Sequence, residues 1–92
     1  MNFSIEKMQQ SRIKYIADLE KLCFSKPWSE RALEEELLNE NAHFFTAILY
    51  GRVIGYIGFH SAADEGYIAN VAVHPNFRNM GCASLLIKEA IK

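Results

Sequence analysis

Only two cysteines, Cys23 and Cys82, occur in this 92-residue chain, and no paired spacing relates them. That argues against a disulfide framework and leaves two reduced thiols, as expected of a cytoplasmic protein. An excess of charge of one sign is missing too. Ten Lys and Arg stand against eleven Asp and Glu, a formal net charge of −1, so no nucleic-acid surface is expected. No apolar run approaches the length of a bilayer span: the most apolar segment, Phe44 to Tyr50, is short and leads into Gly51-Arg52. The opening residues, Met-Asn-Phe-Ser-Ile-Glu-Lys-Met, carry charges where a signal peptide needs an apolar stretch. Repeats, low-complexity tracts and linkers are absent, and so are Gly-x-x-x-x-Gly-Lys-Ser/Thr and Gly-x-Gly-x-x-Gly.

Half of the residues are hydrophobic, enough for one small core, and a single domain over 1–92 is expected. Residues 3–8 read as a short edge strand. Ile13, Ile16, Leu19, Leu22 and Cys23 recur at helical spacing after Ser11, a candidate N-cap. Pro27 pushes its predecessor out of the helical region and ends that helix. Ser29 can cap a second helix from Glu30 to about Asn39, with Leu33, Leu37 and Leu38 inward and Glu34, Glu35 and Glu36 in water. The period then becomes that of strands: His43 to Tyr50 and Val53 to His60 flank a two-residue turn at Gly51-Arg52, and Ala62-Ala63-Asp64 leads to a third strand over Glu65 to Val73. A last helix starts near Gly81 and buries Leu85 and Leu86. The fold class is therefore α/β in the broad sense (α+β), in the order β-α-α-β-β-β-α with a mostly antiparallel sheet.

The most informative run is Ile68-Ala69-Asn70-Val71-Ala72-Val73-His74-Pro75-Asn76-Phe77-Arg78-Asn79-Met80-Gly81-Cys82-Ala83. It reads as a buried strand, a proline-marked turn and a loop, Arg-x-x-Gly-x-Ala, that opens into an apolar helix. Free backbone N–H groups and a helix N-terminus thus meet at one point, a ready phosphate site.

With those residues in view, the chain resembles the GNAT superfamily of acetyl-CoA-dependent N-acetyltransferases. Arg78-Asn79-Met80-Gly81-Cys82-Ala83 is similar to the superfamily's pyrophosphate loop, and Asn70-Val71-Ala72-Val73-His74-Pro75 to the strand before it. Phe24-Ser25-Lys26-Pro27-Trp28-Ser29, Glu36-Leu37 and Gly55-Tyr56-Ile57-Gly58 resemble the ribosomal-protein-alanine (RimI-type) branch. The resemblance implies acetyl-CoA as co-substrate, with backbone contacts from Val71, Ala72 and Val73 along its pantetheine arm. Asn79, Met80, Gly81, Cys82, Ala83 and Ser84 would hold the pyrophosphate, with Arg78 as the loop's one cation. Met80 stands where the family often carries Arg or Lys, Asn79 is also uncharged, and the Arg78 side chain can equally cap the preceding turn, so weaker binding than is typical is expected. The loop around Pro27-Trp28 would border the acceptor groove, or else anchor the core.

The resemblance also implies a part of the family's fold, lacking C-terminal strands and a helix in which the branch keeps its proposed base and acid. Within these residues Glu65 and Tyr67 are the catalytic candidates, against a plainer reading as solvated turn and strand residues. His74 reads as a turn residue rather than a catalytic one, and no spacing suggests a metal site. The implied reaction is acetyl transfer to an α-amine, a protein N-terminus. Three alternatives remain open: a non-catalytic acyl-CoA-binding half-domain, a homodimer formed through the exposed strand edge, or acetylation of a small-molecule amine.

Overall fold

The computed structural model describes residues 3–62 and 65–91, with side-chain positions for all of these except residues 61–62 and 65–69. Along the chain run β1 (Ser4–Lys7), α1 (Ile13–Cys23), α2 (Glu30–Leu37), β2 (Ala42–Leu49), β3 (Arg52–Ala62), β4 (Glu65–Val73) and α3 (Cys82–Ala90). Single 3-10 turns lie at Gln10–Arg12, leading into α1, and at Pro75–Phe77, leaving β4. This is the expected order of elements. The four strands form one sheet, antiparallel throughout, in the order β1-β2-β3-β4.

Helices cover both faces of that sheet, which is why its inner strands are apolar nearly without interruption. On one face α1 and α2 press Ile13, Ile16, Leu19 and Leu33 onto Phe44, Tyr56 and Ala72. On the other, α3 sets Cys82 and Leu86 against Ala47, Leu49, Ile54 and Ile57. Gly55 permits the close approach of α3: a Cβ there would lie 3.0 Å from the Ala72 carbonyl oxygen and 3.2 Å from Cys82 Sγ. Ser29 caps α2 as expected, its Oγ accepting from Ala32 N–H at 3.1 Å. Among the described residues no helix is long and apolar enough to cross a membrane.

Several local expectations need correcting. Leu38, expected on the inward face of α2, is 85% exposed at the C-cap, the helix ends at Leu37, and Glu36, expected in water, is half-buried against His60. Ser11 lies inside the 3-10 turn and does not cap α1, whose N-cap is Arg12. Leu22 is 58% exposed, and Ala17 and Glu20 take the place on the buried stripe of α1 assigned to it. The β2–β3 turn is Tyr50-Gly51, one residue earlier than expected, because Arg52 is already paired with Leu49. Leu85 is 40% exposed, and the inward face of α3 is Cys82 and Leu86. The expected connection at Ala63-Asp64 lies outside the described residues.

Candidate functional site

The site is built where β4 ends. Val73 is its last residue, and His74 turns the chain. The His74 N–H donates to the Ile54 carbonyl at 2.7 Å, and Nδ1 of its ring accepts from Asn76 N–H at 3.1 Å. The same ring meets Phe77 edge-on, centroids 5.5 Å apart, and Pro75 presets φ for the 3-10 turn. His74 thus holds the turn, in line with its reading as a turn residue. Arg78 folds back, its Nε donating to the Val73 carbonyl at 3.1 Å and a terminal nitrogen lying 3.6 Å from Cys23 Sγ. The Cys23 thiol faces that carbonyl too, at 3.5 Å. Strand end, loop and the end of α1 are thereby tied together.

Asn79 and Gly81 then take left-handed conformations, φ 65° and 82°, which swing the chain into α3. Gly81 is the N-cap and has no side chain to cap with. The first N–H groups of the helix, on Cys82, Ala83 and Ser84, have no helical carbonyl within reach. Positive ends of aligned peptide dipoles add to them.

These segments enclose a cleft of about 510 Å³. Of the ten residues expected at the cofactor, nine line it: Val71, Ala72 and Val73 along β4, Arg78 and Asn79 in the loop, and Gly81, Cys82, Ala83 and Ser84 at the helix start. Met80, 44% exposed, is not part of the wall. Phe77 of the turn, with Cys23 and Phe24 at the end of α1, completes it; sequence reasoning missed all three for this role. Burial raises the Cys82 thiol above its ordinary range, so that residue offers its backbone to the cleft, with its thiol protonated and packed inward.

A second set of polar groups escaped the sequence reading altogether. Glu20 of α1 is 1% exposed. Its Oε1 accepts from the Trp28 N–H at 2.9 Å and its Oε2 from the Tyr56 hydroxyl at 2.6 Å. Asn70 of β4 hydrogen-bonds the same phenol. Burial first, and then the Glu20 bond and charge, push the Tyr56 phenol far above its usual range, so it keeps its proton and donates. The chain Asn70–Tyr56–Glu20–Trp28 joins β4, β3, α1 and the α1–α2 connection. It begins one residue before Val71, the first β4 residue of the cleft. A sequence signal existed: Glu20 is a carboxylate on the apolar stripe of Ile13, Ile16 and Ala17.

The side chains of Glu65 and Tyr67, the catalytic candidates, lie outside the described residues; their backbones pair in β4 with Ala62 and His60. His60 Nε2 contacts Glu36 Oε2 at 2.5 Å, and His43 stacks on Phe59 at 5.1 Å. Among the described residues no three or more His, Cys, Asp or Glu side chains gather as a metal site would require.

Comparison with known proteins adds to this geometry. The model of the acetyltransferase (GNAT) family matches residues 13–92. A Bacillus subtilis (strain 168) protein named "Putative ribosomal protein bS18-alanine N-acetyltransferase" is 27% identical over 90 residues, covering 97% of this chain and 60% of its own length. The crystal structure of the ribosomal-protein-S18-alanine N-acetyltransferase from Escherichia coli superposes with a TM-score of 0.87 at 20% identity, over 98% of this chain and 57% of that one. That of PaiA N-acetyltransferase from Thermoplasma acidophilum in complex with coenzyme A gives 0.90 at 16% identity, over 99% and 70%. The chain thus spans about three fifths of the length of the Bacillus relative.

Proposed function

Because this chain belongs to the acetyltransferase (GNAT) family, we propose that it transfers an acetyl group from acetyl-CoA to an amine, and that the amine is the α-amino group of a protein N-terminus. A ribosomal protein is the proposed acceptor, by likeness to the Bacillus relative. The observation that carries the reading is the uncapped start of α3 opening onto a cleft walled by β4.

The residues present fit the co-substrate. The N–H groups of Cys82, Ala83 and Ser84, with the helix dipole behind them, suit a pyrophosphate. Gly81 and Ala83 keep side-chain bulk away from it. Val71, Ala72 and Val73 belong to a strand whose one neighbour among the described residues is β3, so those of their backbone groups that face away from β3, apart from the Val73 carbonyl held by Arg78 and Cys23, suit the amides of a pantetheine arm laid alongside as an added strand. Acetyl-CoA, when bound, supplies the acetyl group as a thioester open to attack by a neutral amine. The chain's own work is to bind and orient it, with Cys23 and Phe24 excluding water from one side. The bound ammonium must lose a proton before its nitrogen can attack; Glu65, with Tyr67 two residues on in β4, is the proposed acceptor of it. The two free thiols support a reducing compartment, the cytoplasm, as the place of action.

Calorimetric titration with acetyl-CoA tests the reading. Saturable binding is expected, with an affinity limited by the loop's single cation, since Arg78 is committed to the Val73 carbonyl. Ser84→Glu, at an exposed helical position on the cleft wall, sets a carboxylate at the helix start and abolishes it while leaving the circular dichroism unchanged. Failure of the folded wild-type chain to bind removes the proposal. Comparing an alanine-starting peptide with a polyamine and an aminoglycoside in an acetylation assay then tests the acceptor class.

A further inference from the structure

Arg12, at the start of α1, and Arg52, the first residue of β3, open onto the same hollow. Its volume is about 480 Å³, close to that of the cleft between β4 and α3 and within the range of small-molecule sites, roughly 300–1,000 Å³. Arg12, Tyr15, Leu19 and Leu22 recur every three or four residues, so they run along one flank of α1. Arg52, Val53 and His74 form the opposite wall. No residue lines both spaces; His74, next after Val73, marks the turn that separates them.

The charges of this hollow do not cancel. Among the described residues neither guanidinium forms an ion pair with a carboxylate. Asp18 lines the hollow too, yet no ion pair joins it to either arginine. Two cations and one anion leave a single positive charge unmatched. His74 adds a donor, because its Nδ1 accepts from Asn76 N–H and a neutral ring then carries its proton on Nε2. Beside these groups the flank is apolar. Leu19 is buried, whereas Leu22 and Tyr15 are 58% and 52% exposed, apolar surface left in water next to a free guanidinium. A guanidinium fork matches a planar carboxylate or a phosphate ester, and the leucine and tyrosine match an apolar body joined to it.

We propose that this hollow is a second small-molecule site, separate from the cleft assigned to acetyl-CoA, and that it takes an organic monoanion. A carboxylate or phosphodiester head lies between Arg12 and Arg52, and an apolar body covers Tyr15, Leu22 and Val53. The single charge follows from the balance: a neutral molecule leaves the guanidiniums unmatched, and a dianion is opposed by Asp18. The site goes beyond acetyl transfer and stands whether or not the chain performs that reaction.

Three probes of similar size test it: 4-phenylbutyrate, methyl phenyl phosphate and the neutral 4-phenylbutanamide. Each is titrated into the full chain while backbone amide resonances are followed. At least one anion is expected to shift Leu22, Gly51 and Arg52 saturably in the millimolar range, and the neutral amide to bind tenfold more weakly or not at all. The tighter of the two anions identifies the head group. Arg12→Gln with Arg52→Gln weakens that anion tenfold or more, whereas Asp18→Asn tightens it severalfold and added salt weakens it. In these variants acetyl-CoA affinity by calorimetry stays within twofold. Equal binding of the neutral amide, unchanged affinity in the folded double variant, or no saturable shift by either anion overturns the proposal. Equal shifts at Leu38 and Ile91, exposed apolar residues elsewhere, overturn it as non-specific adsorption. A tenfold loss of acetyl-CoA affinity in the double variant overturns it by making the hollow part of the co-substrate's site. The probe comparison needs no variant, so it decides the matter even where a substitution unfolds the chain. Anion binding by a chain that does not bind acetyl-CoA would sink the acetyl-transfer reading alone; the reverse result would sink this one alone.

Discussion

Tyr56 is fully buried and gives its proton to a hydrogen bond with Glu20. Its phenol is raised by burial first, then by the Glu20 bond and charge, with Asn70 opposing in part. The sign of the linkage follows. Below about pH 10 the phenol is protonated in folded and unfolded chains alike and costs nothing. Above it the unfolded chain ionises and the folded one does not, so stability falls by about 1.4 kcal/mol per pH unit. Tyr56→Phe removes that slope. At neutral pH the same change destabilises by about 1–3 kcal/mol, because Glu20 Oε2 loses its donor in a buried place. Urea unfolding of both chains at pH 7, 10 and 11 reads the two effects. The Cys82 thiol, raised by burial, adds a slope of the same sign from the thiol range upward, and a Cys82→Ala background separates it. Parallel alkaline slopes with and without Tyr56 would contradict a buried, protonated phenol.

Among the elements, the β2–β3 hairpin carries an evident strain. Its two-residue turn has positive φ at both positions, 51° at Tyr50 and 76° at Gly51, the primed geometry that matches strand twist. Glycine adopts it freely; tyrosine does not, and the Tyr50 ring, 91% exposed, gains no packing in return. Tyr50→Asn is expected to stabilise by about 1 kcal/mol and to raise the thermal midpoint by roughly 4–8 °C; an unchanged midpoint would mean that the turn is unstrained. The hairpin also shows what the sequence made legible. Two strands and a tight turn were plain, but Gly51-Arg52 and Tyr50-Gly51 are equally good turns until cross-strand pairing assigns Arg52 to the ladder. The cleft was legible because its parts are consecutive: strand, Pro75, Gly81 and an apolar helix fall within one short stretch. The polar chain through Glu20 was not, because its members come from α1, the loop at Trp28, β3 and β4. Nothing near Glu20 in the chain announces Tyr56 or Asn70. Only its position on a buried stripe set it apart from the solvated glutamates of α2.

Seen whole, the molecule is a sheet with two cores, one under α1 and α2 and one under α3. Ile16 is fully buried in the first and Ile57 in the second. Trimming either to valine should cost about 0.5–1.5 kcal/mol. The two losses are expected to add within about 0.5 kcal/mol, since the side chains lie on opposite faces and share no core cluster. Denaturant unfolding of both single variants and the double variant checks this. A coupling well above that would mean that the faces sense each other through the sheet, and a split transition would mean that they melt separately.

The register of β1 bears on the time order in which this molecule assembles. β2, β3 and β4 are joined by tight connections, with Leu49 opposite Arg52 and Ala62 opposite Glu65, so each can find its neighbour within a short loop. β1 instead pairs Ser4 with Ile48, across the whole stretch that forms α1 and α2. Closing that long loop costs more chain entropy and is slower. β1 is made before every other described element, yet its partner β2 is not made until after both helices. The first strand produced is among the last to be placed.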